Sequence, residues 1–191
     1  MPSTFTAFID ANVFFGARLR SLMMEVAATG LFRARWSPDV HREWMEAVVE
    51  RRPDITLADL GPTRASMDAA VPDSLVTGYE ALIGGLNLPD PDDRHILAAA
   101  ILCRADVIVT FNQKDFPAEE LARYGIHTRS PDWFFQDVDG LDTGTMVASA
   151  ARDLAHYKNP PLSVDRYIED LKKAGVPMLA AYVDRLRVLL G

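Results

Sequence analysis

Four acidic residues lie where their carboxylates could act together. Asp10 and Asp115 each follow a short apolar run that is typical of a strand, and Asp93 directly precedes an apolar helical run. Glu43 comes three residues after Val40, so it falls on or beside the apolar face of its helix. Carboxylates that meet repel one another unless a cation lies between them, and Mg²⁺ or Mn²⁺ uses one or two carboxylates with water and phosphate oxygens. The pattern therefore predicts an oxygen-ligand metal site of the kind used in phosphodiester chemistry.

Each acidic residue also has a structural explanation. Asp10, together with Asn12, could cap the next helix, and the aspartates of residues 90–93 could be turn and N-cap residues. Asp115 could shape a loop, and Glu43 could pair with an arginine. All four explanations would have to place carboxylates at one edge of one sheet by coincidence, which favours a shared site.

Other catalytic chemistries have little support in the sequence. The four histidines lack paired zinc spacing, and the single cysteine, Cys103, excludes a thiolate cluster. No nucleophile elbow, P-loop or dinucleotide-binding glycine pattern occurs. Asp92 and His95 could share a helix face, but we expect His95 to be a solvated or core residue. The acidic residues remain the best candidates for chemistry.

Short apolar runs that alternate with helical patterns predict the elements that position these residues. Strands are predicted over Phe5–Ile9, Phe32–Trp36, Val107–Thr110 and Ile126–Thr128. The alternation implies an α/β domain with a mainly parallel sheet, and ligands of such sheets bind beyond the carboxyl ends of the strands. Asp10 and Asp115 follow two of these ends.

Helix signals fill the segments between the strands. Ser37-Pro38-Asp39 predicts a helix start, because serine caps free amides and proline has none to leave unpaired, and this helix should reach about Arg51. Residues 54–86 are expected to be helical but broken at Gly61-Pro62, Pro72 and Gly84-Gly85. A helix is expected near residues 117–124, and Ser130-Pro131-Asp132 is interpreted as a turn.

The last part of the chain has helical patterns and no strand signal. Helices are predicted over Met146–Ala155, Val164–Lys173 and Val176–Leu190, with Ser163 as a cap. We therefore expect a small helical appendage that packs on the sheet domain or on a partner.

Composition limits the class of protein. The chain has 191 residues, 49% of them hydrophobic, and a formal net charge of −7. One cysteine, no basic leader and no long apolar run predict a soluble, cytoplasmic protein without membrane contact. The negative charge is regional, because residues 1–52 carry +1, residues 53–145 carry −10 and residues 146–191 carry +2. The acidity could thus be partly that of a metal site rather than of a solvated face.

Five stretches in this order and spacing resemble the PIN-domain family, the metal-dependent nucleases that include VapC-type toxins of bacterial toxin–antitoxin pairs. They are Phe8–Asn12, Ser37–Glu43, Leu88–Ala100, Val109–Pro117 and Ser130–Phe134. The likeness covers roughly residues 5–135. It implies a three-layer α/β/α PIN-like domain with a mainly parallel central sheet at residues 1–136, and a C-terminal helical extension at 137–191.

The resemblance also implies the site residues and the cofactor. The acidic quartet around Mg²⁺ or Mn²⁺ would be Asp10, Glu43, Asp93 and Asp115, as both metal ligands and catalytic residues. Asp93 is preferred to Asp92 because Ile96 then follows at the family's spacing. Supporting positions would be Asp92, Asn12, Thr110 and Asn112.

The implied function is an endoribonuclease, a hydrolase in which metal-activated water attacks a phosphodiester in line. RNA is the expected substrate, an antitoxin protein the expected partner, and a homodimer is possible. Residues 137–191, and a segment at 54–86 longer than in the shortest toxins, depart from a minimal PIN domain. The tail could hold the antitoxin, form a dimer or cover the sheet.

Two other functions stay open at this point. A catalytically silent PIN-like scaffold could bind RNA or protein, although a scaffold has no need of clustered carboxylates. A haloacid-dehalogenase-type phosphatase would also begin on a strand-end aspartate, but here Asn12 stands two residues after Asp10 and no convincing lysine follows.

The arginine pairs at 18/20, 33/35 and 51/52 are candidates for RNA or antitoxin contact, or for a solvated face.

Overall fold

A four-stranded parallel sheet forms the centre of the protein in a computed structural model that describes residues 4–189. The strands are β1 (Thr6–Ile9), β2 (Arg33–Arg35), β3 (Val107–Val109) and β4 (His127–Arg129), and their order in the sheet is β2-β1-β3-β4. All three strand pairs are parallel. The two central strands are buried along their whole length, as expected of a sheet covered on both faces. The α/β fold class is therefore confirmed.

Helices make up most of the remaining chain. They are α1 (Ala11–Phe15), α2 (Ala17–Ala27), α3 (Pro38–Arg51), α4 (Leu57–Ala70), α5 (Glu80–Ile83), α6 (Arg94–Leu102), α7 (Ala118–Ala122), α8 (Pro131–Asp139), α9 (Thr143–His156), α10 (Val164–Lys173) and α11 (Pro177–Arg185). Single 3₁₀ turns occur at Pro91–Asp93, Gln113–Asp115 and Arg187–Leu189. Among residues 4–189, every helix falls short of the length and hydrophobicity that crossing a bilayer requires.

The Ser-Pro-Asp sequence occurs twice and starts a helix both times. Ser37 accepts a hydrogen bond from the Val40 amide and begins α3, as predicted. Ser130 accepts one from the Trp133 amide and begins α8, where the prediction from sequence is a turn. That expectation was wrong, because the same capping physics applies at both places.

The segment from residue 54 to 86 contains a long helix where a break was predicted. Gly61 and Pro62 lie inside α4, which continues through them. A capping box starts this helix, since the Thr56 hydroxyl accepts from the Asp59 amide and the Asp59 carboxylate accepts from the Thr56 amide. The cap and the buried side chains Leu60 and Met67 outweigh the hydrogen bond that Pro62 cannot make.

The C-terminal helices are close to those predicted, with one difference at the end. Helix α10 has the predicted bounds, whereas the last predicted helix, expected to reach Leu190, ends at Arg185 and is followed by a 3₁₀ turn. Leu190 lies outside the described residues. Helix α8 continues across residue 136, the boundary expected between the two domains, so that division stays a prediction.

Buried carboxylates join these helices to the sheet domain. Asp132, near the start of α8, accepts hydrogen bonds from the amides of Met178 and Leu179 at 2.9 and 2.8 Å, and so satisfies the first turn of α11. Asp153 on α9 accepts from Ser21 on α2 and, at 2.6 Å, from Tyr167 on α10. The appendage is thus fixed to the domain by satisfied polar groups as well as by apolar packing.

We predict that Asp132→Ala lowers the free energy of unfolding by about 2 kcal/mol, because two amides in the first turn of α11 lose a charged acceptor. Urea unfolding followed by circular dichroism measures this change. The matched control is Asp137→Ala on the same helix, which removes an exposed pair with Arg129 and should cost under about 0.5 kcal/mol. Equal costs for the two variants would contradict the capping role of Asp132.

Candidate active site

Asp10 lies at the carboxyl end of β1 and is almost completely buried. The Thr110 hydroxyl, from the end of the neighbouring strand β3, donates to one Asp10 carboxylate oxygen at 2.6 Å, and the Asn12 amide donates to the same oxygen at 2.6 Å. Asn12 also donates to Thr110 Oγ1 and accepts from the Phe111 amide. The parallel register of β1 and β3 therefore brings four polar groups together and fixes the position of this carboxylate.

Three of the four predicted ligands line one pocket. Asp10, Glu43 and Asp93 face a cavity of about 380 Å³, together with Asn12 and Asn112. Helix α3 carries Glu43, and the turn before α6 carries Asp93. These elements lie far apart in the sequence, so the fold itself assembles the pocket wall.

The other predicted acidic residues lie outside this wall. Asp115 is half-buried in the 3₁₀ turn that follows β3, close enough for its charge to act on Asp93 but not lining the pocket. Asp92 is exposed, and its amide donates to the Asp90 side chain in a turn. Of the two candidates at this position, Asp93 is the one that faces the pocket.

His95 belongs to the site, although the sequence predicts a solvated or core residue at this position. Its Nε2 lies 2.7 Å from a Glu43 carboxylate oxygen, and its side chain is only 11% exposed. Among residues 4–189, its Nδ1 is buried and meets no hydrogen-bond partner. Because α6 carries His95 just after Asp93, this contact joins the two elements that bring Glu43 and Asp93 to the pocket. The spacing of residues in the sequence does not predict this contact, because Glu43 lies 52 residues before His95.

The pocket concentrates negative charge in a poorly solvated place. Burial raises the pKa of Asp10; the hydrogen bond from Thr110 opposes this change and the charge of Glu43 adds to it. Burial also raises the pKa of Asp93 to about 7, and the charges of Asp10, Asp90 and Asp115 act in the same direction. Burial opposes protonation of His95, but the Glu43 carboxylate, with Asp39 and Asp10, outweighs it and raises the pKa. A positive charge in the pocket would lower all three pKa values.

The donor set fits a hard divalent cation. Among residues 4–189, no three His, Cys, Asp or Glu side chains converge closely enough to enclose an ion by themselves. Mg²⁺ does not need such a cage, because it keeps several waters and binds one or two carboxylates directly. Asp10 and Asp93 on the pocket wall, with Glu43 beside them, could supply those oxygens.

Several of the six candidate arginines bind to groups within the fold. Arg18 pairs with Asp170 at 3.1 Å, and Arg52 pairs with Asp54 at 2.7 Å. Arg20 donates to the Phe14 carbonyl. Arg51 differs, because it lies on the wall of the carboxylate pocket.

Comparison with known proteins identifies the family of the chain. A protein from Mycobacterium tuberculosis (strain ATCC 25618 / H37Rv), named "Putative ribonuclease VapC50", is 35% identical over 131 residues, which cover 66% of this chain and 76% of that protein. The chain belongs to the VapC family of PIN-domain proteins. No solved structure matches it.

The C-terminal helices also have a counterpart in the VapC family. Residues 131–185 match the model of the VapC50 C-terminal domain. The matched region begins at the first residue of α8 and ends at the last residue of α11. The matched region therefore covers the C-terminal helices and also α8, which precedes them.

We predict that Asp93→Asn stabilises the metal-free protein at about pH 7.5 by about 1 kcal/mol, and has little effect at about pH 4. An acid whose pKa is higher in the folded than in the unfolded state favours folding when protonated, so its contribution is lost as pH rises from about 4 to about 7. Urea unfolding in chelator at the two pH values measures the difference. Asp92→Asn, an adjacent exposed change, is the control. An Asp93→Asn variant no more stable than the wild type at the higher pH would contradict the described electrostatics.

Proposed function

We propose that this protein is a metal-dependent endoribonuclease, and that it is the toxin of a toxin–antitoxin pair. The observation that carries the proposal is the convergence of Asp10, Glu43 and Asp93 on one pocket at the carboxyl edge of a parallel sheet. Ligands of such sheets bind at this edge. The similarity to a protein named as a ribonuclease of the VapC family supports RNA as the substrate.

The side chains would divide the work by position. Asp10 and Asp93 would hold Mg²⁺ or Mn²⁺, with Glu43 on the same wall and Asp115 adding charge nearby. The bound ion would supply a Lewis acid that activates water and offsets negative charge on the phosphodiester. Thr110 and Asn12 hold Asp10 in a fixed orientation, so little reorganisation is needed when substrate binds. His95 orients Glu43 through their hydrogen bond.

A silent scaffold is the weaker alternative. Burying carboxylates together raises their pKa values and lowers the stability of the fold. A protein that binds no cation would have this cost without any benefit. Asp93 and Asp115, two of the acidic residues in the middle block of the chain, have the same explanation, because a divalent ion beside them would reverse the local field where phosphate binds.

We predict that the wild type cleaves single-stranded RNA in Mn²⁺, and that Asp10→Asn and Asp93→Asn each lower the rate by more than about a hundredfold, because each removes a ligand. Gel analysis of labelled RNA gives the rates, and circular dichroism confirms that the variants fold. Asp92→Asn is the matched control and should cleave within about twofold of the wild type. Cleavage that survives in both variants, or in excess chelator, would refute the proposal.

The toxin role has its own test. Because an unrestrained ribonuclease destroys cellular RNA, expression of the wild type in a bacterial host should arrest growth, and Asp10→Asn should not. Optical density after induction measures this, with immunoblotting to show equal protein levels. Normal growth of cells that contain active wild-type enzyme would exclude the toxin role while leaving the nuclease proposal intact.

A further inference from the structure

A second concavity opens beside the carboxylate pocket. It has a volume of about 390 Å³, and its wall includes Asn12, Phe15, Arg51, Phe111 and Lys173. We call it the aromatic-basic groove. Three of these residues, Asn12, Phe15 and Arg51, also line the carboxylate pocket. The two spaces therefore adjoin, and a chain that crosses the carboxylates can extend into the groove.

Phe111 presents an exposed aromatic surface in this groove. It follows Thr110 at the end of β3 and is 38% exposed, although the strand before it is buried. Its amide donates to the Asn12 side chain at 3.1 Å, and Asn12 in turn donates to Asp10. One hydrogen-bonded unit thus fixes both the backbone of Phe111 and the central carboxylate of the site.

The turn after α10 lies close to the Phe111 ring. Gly175 ends the turn after α10 with φ of +83°, and a Cβ placed there would lie 3.2 Å from Phe111 Cε1. Glycine is therefore suited to this position for two reasons, its backbone conformation and the close approach of the ring. The C-terminal helices shape the groove and do more than cover the sheet.

Two cationic side chains lie on the groove wall. The Arg51 guanidinium is 4.8 Å from the centre of the Phe15 ring, and Lys173 is exposed at the end of α10. None of the ion pairs within residues 4–189 includes Arg51 or Lys173. Their neighbour Arg52, in contrast, is occupied by Asp54. The groove thus offers positive charge that the fold does not itself neutralise.

We propose that the aromatic-basic groove binds single-stranded RNA next to the cleavage site, with a base stacked on Phe111 and phosphates near Arg51 and Lys173. The proposal rests on the proposed function, which makes RNA the substrate. Proteins commonly bind single-stranded nucleic acid with aromatic rings and nearby cationic side chains. The rings stack on the bases, and the cations bind the phosphates. A duplex keeps its bases stacked inside and cannot offer one to Phe111. The appendage therefore contributes to substrate selection through Lys173 and Gly175.

The test is equilibrium binding of a fluorescein-labelled oligouridine of about 12 nucleotides to the full chain, measured by anisotropy in chelator so that no cleavage occurs. We expect Phe111→Ala and Lys173→Glu each to weaken binding about tenfold, and Lys173→Glu to reduce the slope of log K against log salt by about one. Trp133→Ala, another exposed aromatic, and Lys172→Glu, the adjacent exposed lysine, are the matched controls and should change binding less than about twofold. A duplex of the same length should bind more weakly than the single strand and should not respond to Phe111→Ala.

Several results would overturn the inference. One is that the wild type shows no measurable RNA binding. Another is that Lys172→Glu and Lys173→Glu weaken binding equally, and a third is that a duplex binds as well as the single strand.

Displacement of the RNA by an oligoglutamate peptide whose own binding depends on Phe111 would assign the groove to a protein partner instead. Metal-dependent cleavage with unchanged KM in Phe111→Ala and Lys173→Glu would refute the groove and leave the nuclease. Groove-dependent binding without any cleavage in Mn²⁺ would refute the nuclease and leave the groove.

Discussion

The Asp10 carboxylate lies buried at the end of a central strand, where Thr110 and Asn12 hold it and other carboxylates approach from two helical elements. A buried charge of this kind is costly unless a cation compensates it. The cost is visible in the raised pKa values of Asp10 and Asp93. Much of the surrounding structure can be understood as the means of holding these groups in place, through strand register, a capped α3 and the contact of His95 with Glu43.

The same arrangement connects the site to the C-terminal helices. Asn12 bonds both to Asp10 and to the backbone of Phe111, and the Phe111 ring rests against the turn at Gly175. On the other side, Asp132 caps α11 and fixes the appendage to the segment that follows β4. The part of the chain that matches the VapC50 C-terminal domain is therefore close to the candidate chemistry rather than remote from it.

The sequence predicted what depends on local signals. The run of β-branched residues in β3, the Ser37 cap of α3 and the order of the acidic motifs all rest on neighbouring residues, and the strands and most helices followed from them. Contacts between residues far apart in the chain could not be predicted from the sequence. No local pattern shows that Glu43 contacts His95 or that Asp115 does not line the pocket. Nor does a local pattern show that α4, which begins with a capping box, continues past Pro62. The helix start at Ser130 is a different case, because its signal was present and was interpreted as a turn.

The central claim is that the carboxylates at the sheet edge share a divalent cation, and a crystal structure of the protein soaked in Mn²⁺ tests it most directly. An anomalous difference map should show a peak in the pocket between Asp10 and Asp93, within coordination distance of at least one of their oxygens. The claim would be contradicted if the Asp10 and Asp93 side chains were ordered and the map showed no anomalous peak in this pocket, or showed Mn²⁺ only at other places.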